Sequence, residues 1–279
     1  MSVSWLDDVT ARLPRHGRLI RALRDVVVAD DRWRWFDVGC SIGAGDGDEL
    51  SDIDSGIGYP EWFETVEVWP LAEQLVNTVG EVVDVLVHTM DGSPPEIRRL
   101  AVEYSDGVQL DLVVMPAKRM TGLRDREVAI VDKDGDLMGV ATSQFYGPPD
   151  EDGAREWSLM AWWWLSDVAK YLQRGALFEA AERIALIRQQ ALKLFAAAHD
   201  VPYPSFGLTS LLDHEPFELP DGLADTYPRP DDVTSIAAAA CAVRALLADC
   251  SRRAAIHLGY DLSTPWETTA SERLSTATR

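Results

Sequence analysis

Cysteine is scarce in this 279-residue chain, and the three that occur, Cys40, Cys241 and Cys250, are far apart. That argues against a disulfide framework and for free thiols in a reducing, cytoplasmic setting. Long apolar runs are missing too. None reaches the roughly 18 residues of a membrane span, so no membrane partner is expected. The opening stretch "MSVSWLDDVTARLPRHG" carries acids early and no continuous apolar core, unlike a signal peptide. Basic residues are outnumbered, 26 Lys and Arg against 46 Asp and Glu, for a net charge of -20. Such a surface repels phosphate backbones, which sets aside a nucleic-acid partner, and it attracts small cations. No glycine-lysine-serine/threonine P-loop is found, and no GxGxxG run opens a helix. Internal repeats and low-complexity tracts are also lacking.

What is present falls into two textures, residues 1–150 and 151–279. The first mixes helix and strand patterns. "SWLDDVTARL" and "GRLIRALRDVVV" repeat apolar residues every three or four positions, as amphipathic helices do. "WRWFDVG", "DIDSGIGY" and "EVVDVLVH" read as strands. "EWFETVEVWPLAEQLVNTVG" reads as a helix that Pro70 breaks or restarts. "RRLAVEYSDGVQLDLVVM" reads as a hairpin turning at Asp106-Gly107. A two-residue turn there pairs Val102 with Asp111 and Glu103 with Leu110, which sets Asp111 and Glu103 on opposite faces. A one-residue change of register would reverse that.

The second texture is helical. Two long helices break near Gly175, a loop rich in Pro, Asp and Gly spans roughly 200–232, and a further long helix opens on acidic residues that suit its N-terminus. The expected architecture is an α/β (α+β) domain with a mixed sheet, followed by an all-α bundle.

The chemistry concentrates in "VGCSIGAGDGDELSDIDSGIGY", residues 38–59. Alternate strand residues share a face, so Asp52 and Asp54 project together while Ile53 faces the core. Two like charges that close repel, and a cation between them is the usual remedy. Hard oxygen ligands of this kind suit Mg²⁺ bound together with substrate phosphates. The four glycines just upstream allow backbone N–H groups to approach those phosphates, and Ser41 adds a hydroxyl. Asp111 is a further acid set among Leu110, Leu112, Val113 and Val114, where it needs a metal or a partner. The alternatives are strand-edge acids for Asp52 and Asp54, and a salt-bridged strand acid for Asp111. "DKDGD" at 132–136 lacks a closing glutamate and reads as a β-turn, not a calcium loop. "DHE" at 213–215 reads as surface loop, and His16, His88, His199 and His257 show no ligand spacing.

The run resembles the signature of the DNA polymerase β-like nucleotidyltransferase superfamily: Gly-Ser, about ten residues, then Asp-x-Asp. Here ten residues separate Ser41 from Asp52-Ile53-Asp54, and Gly45 stands four after the serine. Cys40 departs from the pattern where many members have glycine, although Gly39 precedes it. The resemblance covers residues 15–115 or so. It implies catalytic and metal-binding roles for Asp52, Asp54 and Asp111, two Mg²⁺ ions, and ATP or another nucleoside triphosphate as co-substrate. It also implies nucleotide binding at Gly39, Cys40 and Ser41.

An α/β domain with a helical bundle of this size is similar in layout to the antibiotic nucleotidyltransferases. The activity so implied is transfer of a nucleoside monophosphate, AMP being the first choice, to a hydroxyl of a small cationic acceptor such as an aminoglycoside, with release of pyrophosphate. Lys170 and Arg174 lie four apart on one helix face and are candidates for the triphosphate tail, or else form a solvated basic face. Trp157, Trp162, Trp163 and Trp164 are too many for one stripe, so some belong to the core. Trp163, with Glu61 and Trp62, is a candidate for the acceptor. Two rival readings are transfer of AMP to a protein hydroxyl, as a toxin or regulator, and an inactive nucleotide-binding module.

Overall fold

The computed structural model describes residues 3–89, 94–124, 126–139, 149–213, 218–261 and 264–278. The chain divides into two compact units, residues 1–144 and 145–279.

The first unit begins with α1 (Val3–Arg12) and α2 (Pro14–Ala29). Then come β1 (Trp35–Val38), the short α3 (Cys40–Ala44), β2 (Ile53–Tyr59) and α4 (Thr65–Val79). β3 (Val82–His88), β4 (Arg98–Tyr104), β5 (Gln109–Pro116) and β6 (Val128–Asp132) follow. The six strands form one mixed sheet in the order β3-β4-β5-β2-β1-β6, with β2 and β5 parallel and the other neighbours antiparallel.

Strand alternation gives the sheet two different faces. Phe36, Val38, Ile53, Ile57, Leu110 and Leu112 point to one side and pack with Ile20, Leu23, Val27, Val68 and Val76 of the helices. Each such fully buried apolar side chain contributes about 1.5–3 kcal/mol. The opposite face carries Trp35, Met115 and a small cluster with Ile97, Ala117, Met120 and Leu137. It also carries the polar residues Asp37, Asp54, Arg99 and Asp111, as the strand registers require.

Two expectations are corrected here, and one strand is added. α4 runs unbroken through Pro70. The proline removes one backbone hydrogen bond near the start of the helix, and burial of Val68, Leu71, Ala72, Leu75 and Val76 outweighs that. β6 was not legible: it is a five-residue, half-buried edge strand. The hairpin turns differently as well. Gly107 N donates to Tyr104 O (2.9 Å) and Tyr104 N to Val108 O (3.0 Å), so three residues form the loop, with Gly107 at φ +82°. Asp111 therefore pairs with Ala101, and Glu103 with Gln109. The one-residue shift puts Glu103 on the face of Asp111, where it accepts a 3.0 Å hydrogen bond from Gln109 Nε2.

In the second unit the described helices are α5 (Glu151–Arg174), α6 (Leu177–Ala198), α7 (Leu208–Asp213), α8 (Val233–Leu258) and α9 (Pro265–Ala277). Local signals set their ends. Asp150 caps α5 by accepting from Gly153 N (2.8 Å), and Gly175 ends it in the left-handed region at φ +68°. Asp232 caps α8 by accepting from Thr234 N and Ser235 N. By length and composition α8 could cross a membrane. Its Ile236, Val243, Leu247 and Ala254 instead lie in one core with Trp162, Leu165, Ile184 and Ile187 of α5 and α6.

Candidate active site

The loop after β1 is held from several sides. Gly39 N donates to Asp54 O (2.8 Å), which ties the start of α3 to the strand of the acids. Cys40 sits at φ +51°, a backbone setting that favours glycine. A Cβ on Gly43 would collide with the carbonyls of Val38 and Arg126. The amides of Gly45, Asp46 and Gly47 all converge on Ser41 O at 2.8–3.1 Å, so those three donors are turned into the loop itself. Arg12 Nη1 binds Gly45 O (2.6 Å), His16 Nε2 meets Ser51 O (2.9 Å), and Arg126 pairs with Asp46 (2.9 Å).

The parallel register of β2 and β5 sets Asp54 directly beside Asp111. Asp52 precedes β2 by one residue, close enough for its charge to act on both. Burial pushes Asp54 up to about 6, the charge of Asp52 adds to this, and a hydrogen bond with the Cys40 thiol opposes it. Burial and the neighbouring Asp54 also push the Cys40 thiol above its ordinary range. Asp111 is raised by burial, against an opposing pull from Arg99. Arg99 Nε and Nη2 engage the two oxygens of Asp111 in a fork. The salt-bridged alternative for Asp111 is thus realised alongside its place next to Asp54. Among the described residues, no three His, Cys, Asp or Glu side chains form a ready-made metal cluster.

A fourth acid went unnoticed in the sequence. Asp37, in the middle of β1, is 2% exposed and accepts from Gly56 N at 2.6 Å. Burial, then the charge of Glu127, hold its carboxyl well above the usual range. Glu127 is itself paired with Arg124 (2.5 Å). The available signal was an acid inside "WFDV", the same one that singled out Asp111. Gly56 and Gly58 of β2 make the room: a Cβ on Gly56 would lie 2.6 Å from Asp37 Oδ1, and one on Gly58 would strike the Trp35 indole.

Two of the remaining candidates lie in the first unit, away from the aspartates. Glu61 and Trp62 follow the far end of β2. At about 3.3 Å per residue, the strand alone carries the chain roughly 17 Å from Asp54 to Tyr59. Trp62 is 72% exposed and meets Phe63 edge-on at 5.7 Å. Lys170, Arg174 and Trp163 belong to the second unit. There Lys170 Nζ binds Asp167 Oδ1 (2.5 Å), and Arg174 ends α5. Trp163 is 54% exposed and leans on Trp266 at 5.2 Å. Trp163 and Lys170 share a pocket of about 370 Å³ with Ser166, Asp167, Gln173 and Arg273. Trp162 is the core member of the tryptophan run. Asp132 accepts from Gly135, Asp136 and Leu137 N, which makes "DKDGD" a turn that consumes its own first carboxylate. His214 and Glu215 lie outside the described residues.

No protein-family model matches the chain. No curated protein matches it either. Among solved structures, an aminoglycoside 6-adenyltransferase from Bacillus subtilis is similar over 93% of this chain and 97% of that one, at 15% identity and a TM-score of 0.42. The fold of the present chain is a mixed α/β unit with a six-stranded sheet followed by a helical unit.

Proposed function

We propose that the chain is a nucleotidyltransferase that moves a nucleoside monophosphate, AMP first, from a nucleoside triphosphate to a hydroxyl of a small cationic acceptor of the aminoglycoside type. One observation carries the reading. Asp54 and Asp111 stand side by side on adjacent strands with Asp52 next to them, on the sheet face away from the helices and beside the pinned loop 39–47. Structural acids gain nothing from such an arrangement, because each one raises the cost of ionising the next.

The donor set suits a magnesium ion. Asp52 and Asp54 are hard oxygen ligands, and the raised Asp54 is the mark of a carboxylate whose charge lacks full compensation. A bound ion would neutralise charge on the reacting phosphate and on the departing pyrophosphate. The protein's own work is positional. Asp52 and Asp54 would hold the ion, Gly39, Cys40 and Ser41 would serve as the nucleotide loop, and Asp111 would take the proton of the acceptor hydroxyl. The net charge of -20 favours a cationic acceptor and disfavours nucleic acid. A reducing, cytoplasmic location completes the reading.

The test is a screen of ATP, GTP, CTP and UTP with Mg²⁺ against aminoglycosides, lincosamides and other hydroxylated antibiotics, following pyrophosphate release. An Asp54→Asn control must be silent. Release with a cationic antibiotic supports the whole proposal. Modification of a neutral compound or a protein alone would overturn the acceptor and leave the transferase chemistry. No turnover and no nucleotide binding would overturn both.

A further inference from the structure

The sheet registers put a guanidinium where the acids meet. Ala101 lies opposite Asp111, so Arg99 stands one pair further along β4 on the same face. From there it reaches both oxygens of Asp111. The carboxylate is largely buried, and the guanidinium only partly so. Both side chains are borne on central strands of the sheet, so the pair is set by backbone register and not by a mobile loop. Forked pairs of this kind are the stronger and more directional form of ion pair. Asp54, by contrast, has a repelling Asp52 and the Cys40 thiol as its main neighbours and feels Arg99 through charge alone, less than it feels Asp52, Cys40 or Asp111.

We infer that Arg99 is a positioning residue that holds Asp111 away from metal binding, so that this chain takes up one divalent cation with its nucleotide, on Asp52 and Asp54. The inference rests on the nucleotidyltransferase reading and departs from the two-ion expectation. A carboxylate has lone pairs to spare beyond two hydrogen bonds, so occupancy of the oxygens is not the obstacle. Charge is. A second dication on Asp111 would sit beside the guanidinium in a partly buried setting, where like charges are poorly screened. Arg99 supplies positive charge at that point without a metal. Lysine in its place would keep the charge and lose the fork.

Counting bound ions decides the matter. Mn²⁺ is titrated into the protein with a nonhydrolysable triphosphate analogue of the nucleotide that supports turnover, and bound metal is read by electron paramagnetic resonance. The expected result is one Mn²⁺ per wild-type chain and one for Asp111→Asn. Arg99→Gln should bind two and Arg99→Lys one. The double variant Arg99→Gln/Asp111→Asn should return to one, which places the extra ion on Asp111. Two ions in the wild type, falling to one in Asp111→Asn, would overturn the inference while the transferase reading stands. So would a single ion in a folded Arg99→Gln. Should Arg99→Gln fail to fold by circular dichroism, the wild-type and Asp111→Asn counts still decide. Absence of both nucleotide and Mn²⁺ binding in the wild type would remove the nucleotidyltransferase reading and this inference with it.

Discussion

The two units handle buried polarity in opposite ways. Among the described residues of the helical unit, the buried polar groups are uncharged. They include the hydroxyls of Ser158, Ser210, Thr226 and Ser251, of which Ser158 and Ser251 satisfy one another at 3.0 Å, and Trp162 Nε1, Gln190 Oε1 and Tyr260 OH, which are buried without a hydrogen-bond partner among the described residues. In the sheet unit they include an aspartate and a histidine, and Asp37, Asp54 and Asp111 are all pushed above the ordinary carboxylate range. Asp232, at the start of α8 in the helical unit, is instead lowered, first by the hydrogen bond from Ser235 N. A hydroxyl is cheap to bury because one neighbour satisfies it, whereas a charge that lacks full compensation is expensive. Costly burial gathered on one sheet face points to chemistry there. The helical core has the simpler character of packing.

The largest effect should come from removing the central acid. Asp54→Asn is expected to lower nucleotidyl transfer by roughly 10³-fold, about 4 kcal/mol of transition-state stabilisation. The far-ultraviolet circular dichroism should be unchanged. Steady-state pyrophosphate release measures the loss, and near-normal turnover would erase the contrast between the units.

The same substitution sharpens the comparison through stability. Asp54 ionises near 3.8 in the unfolded chain and at about 6 in the folded one. The folded state therefore holds more protons across that window, and metal-free stability falls as pH rises through it. The full difference is roughly 3 kcal/mol. Chemical denaturation from pH 4 to 7 should show this decline in the wild type and a flatter profile in Asp54→Asn. Added Mg²⁺ should offset the decline at pH 7. A rising profile would refute the assignment.

Backbone fit gives a smaller effect. Gly58→Ala drives a methyl into the Trp35 indole and should cost about 2 kcal/mol. At Gly175 an added Cβ meets nothing within 4 Å, and only the left-handed backbone, φ +68°, resists it, for about 1 kcal/mol. Thermal melts of the two variants should fall in that order. Equal losses would mean that β2 gives way around Trp35.

The smallest effect is assigned to the helical unit. Lys170→Ala breaks an ion pair that is 40% exposed on the lysine side, so stability should change by less than about 1 kcal/mol. If Lys170 reaches the triphosphate, nucleotide affinity drops about tenfold by calorimetry. An unchanged dissociation constant returns it to the role of partner to Asp167.

Much of this was legible beforehand for a definite reason. Spacing along one strand or one helix is converted into geometry by the backbone alone. Thus Asp232 caps a helix and Gly175 ends one, whatever the rest of the chain does. The misses came where pairing mattered. Asp37 went unread although its setting in β1 parallels that of Asp111 in β5, because only the packing against Gly56 reveals how completely it is buried. Gly56 and Gly58 could not be explained before Trp35 and Asp37 were laid across them.

The sequence by itself determined an acid pair where a strand begins, a loop able to turn tightly before it, and a helical second half. Tertiary structure alone decided what those acids meet. The hairpin loop holds three residues instead of two, so Asp111 faces Ala101 and comes within reach of Arg99, twelve residues away in the chain. The parallel pairing of β2 with β5 brings Asp54 beside Asp111 across 57 positions. Such contacts depend on register, and a slip of one residue sends every side chain of a strand to the other face at no change in local propensity. Local periodicity cannot choose between the two registers. The choice is made when Leu110, Leu112 and Val114 find the helices on one side of the sheet, which leaves the charges together on the other.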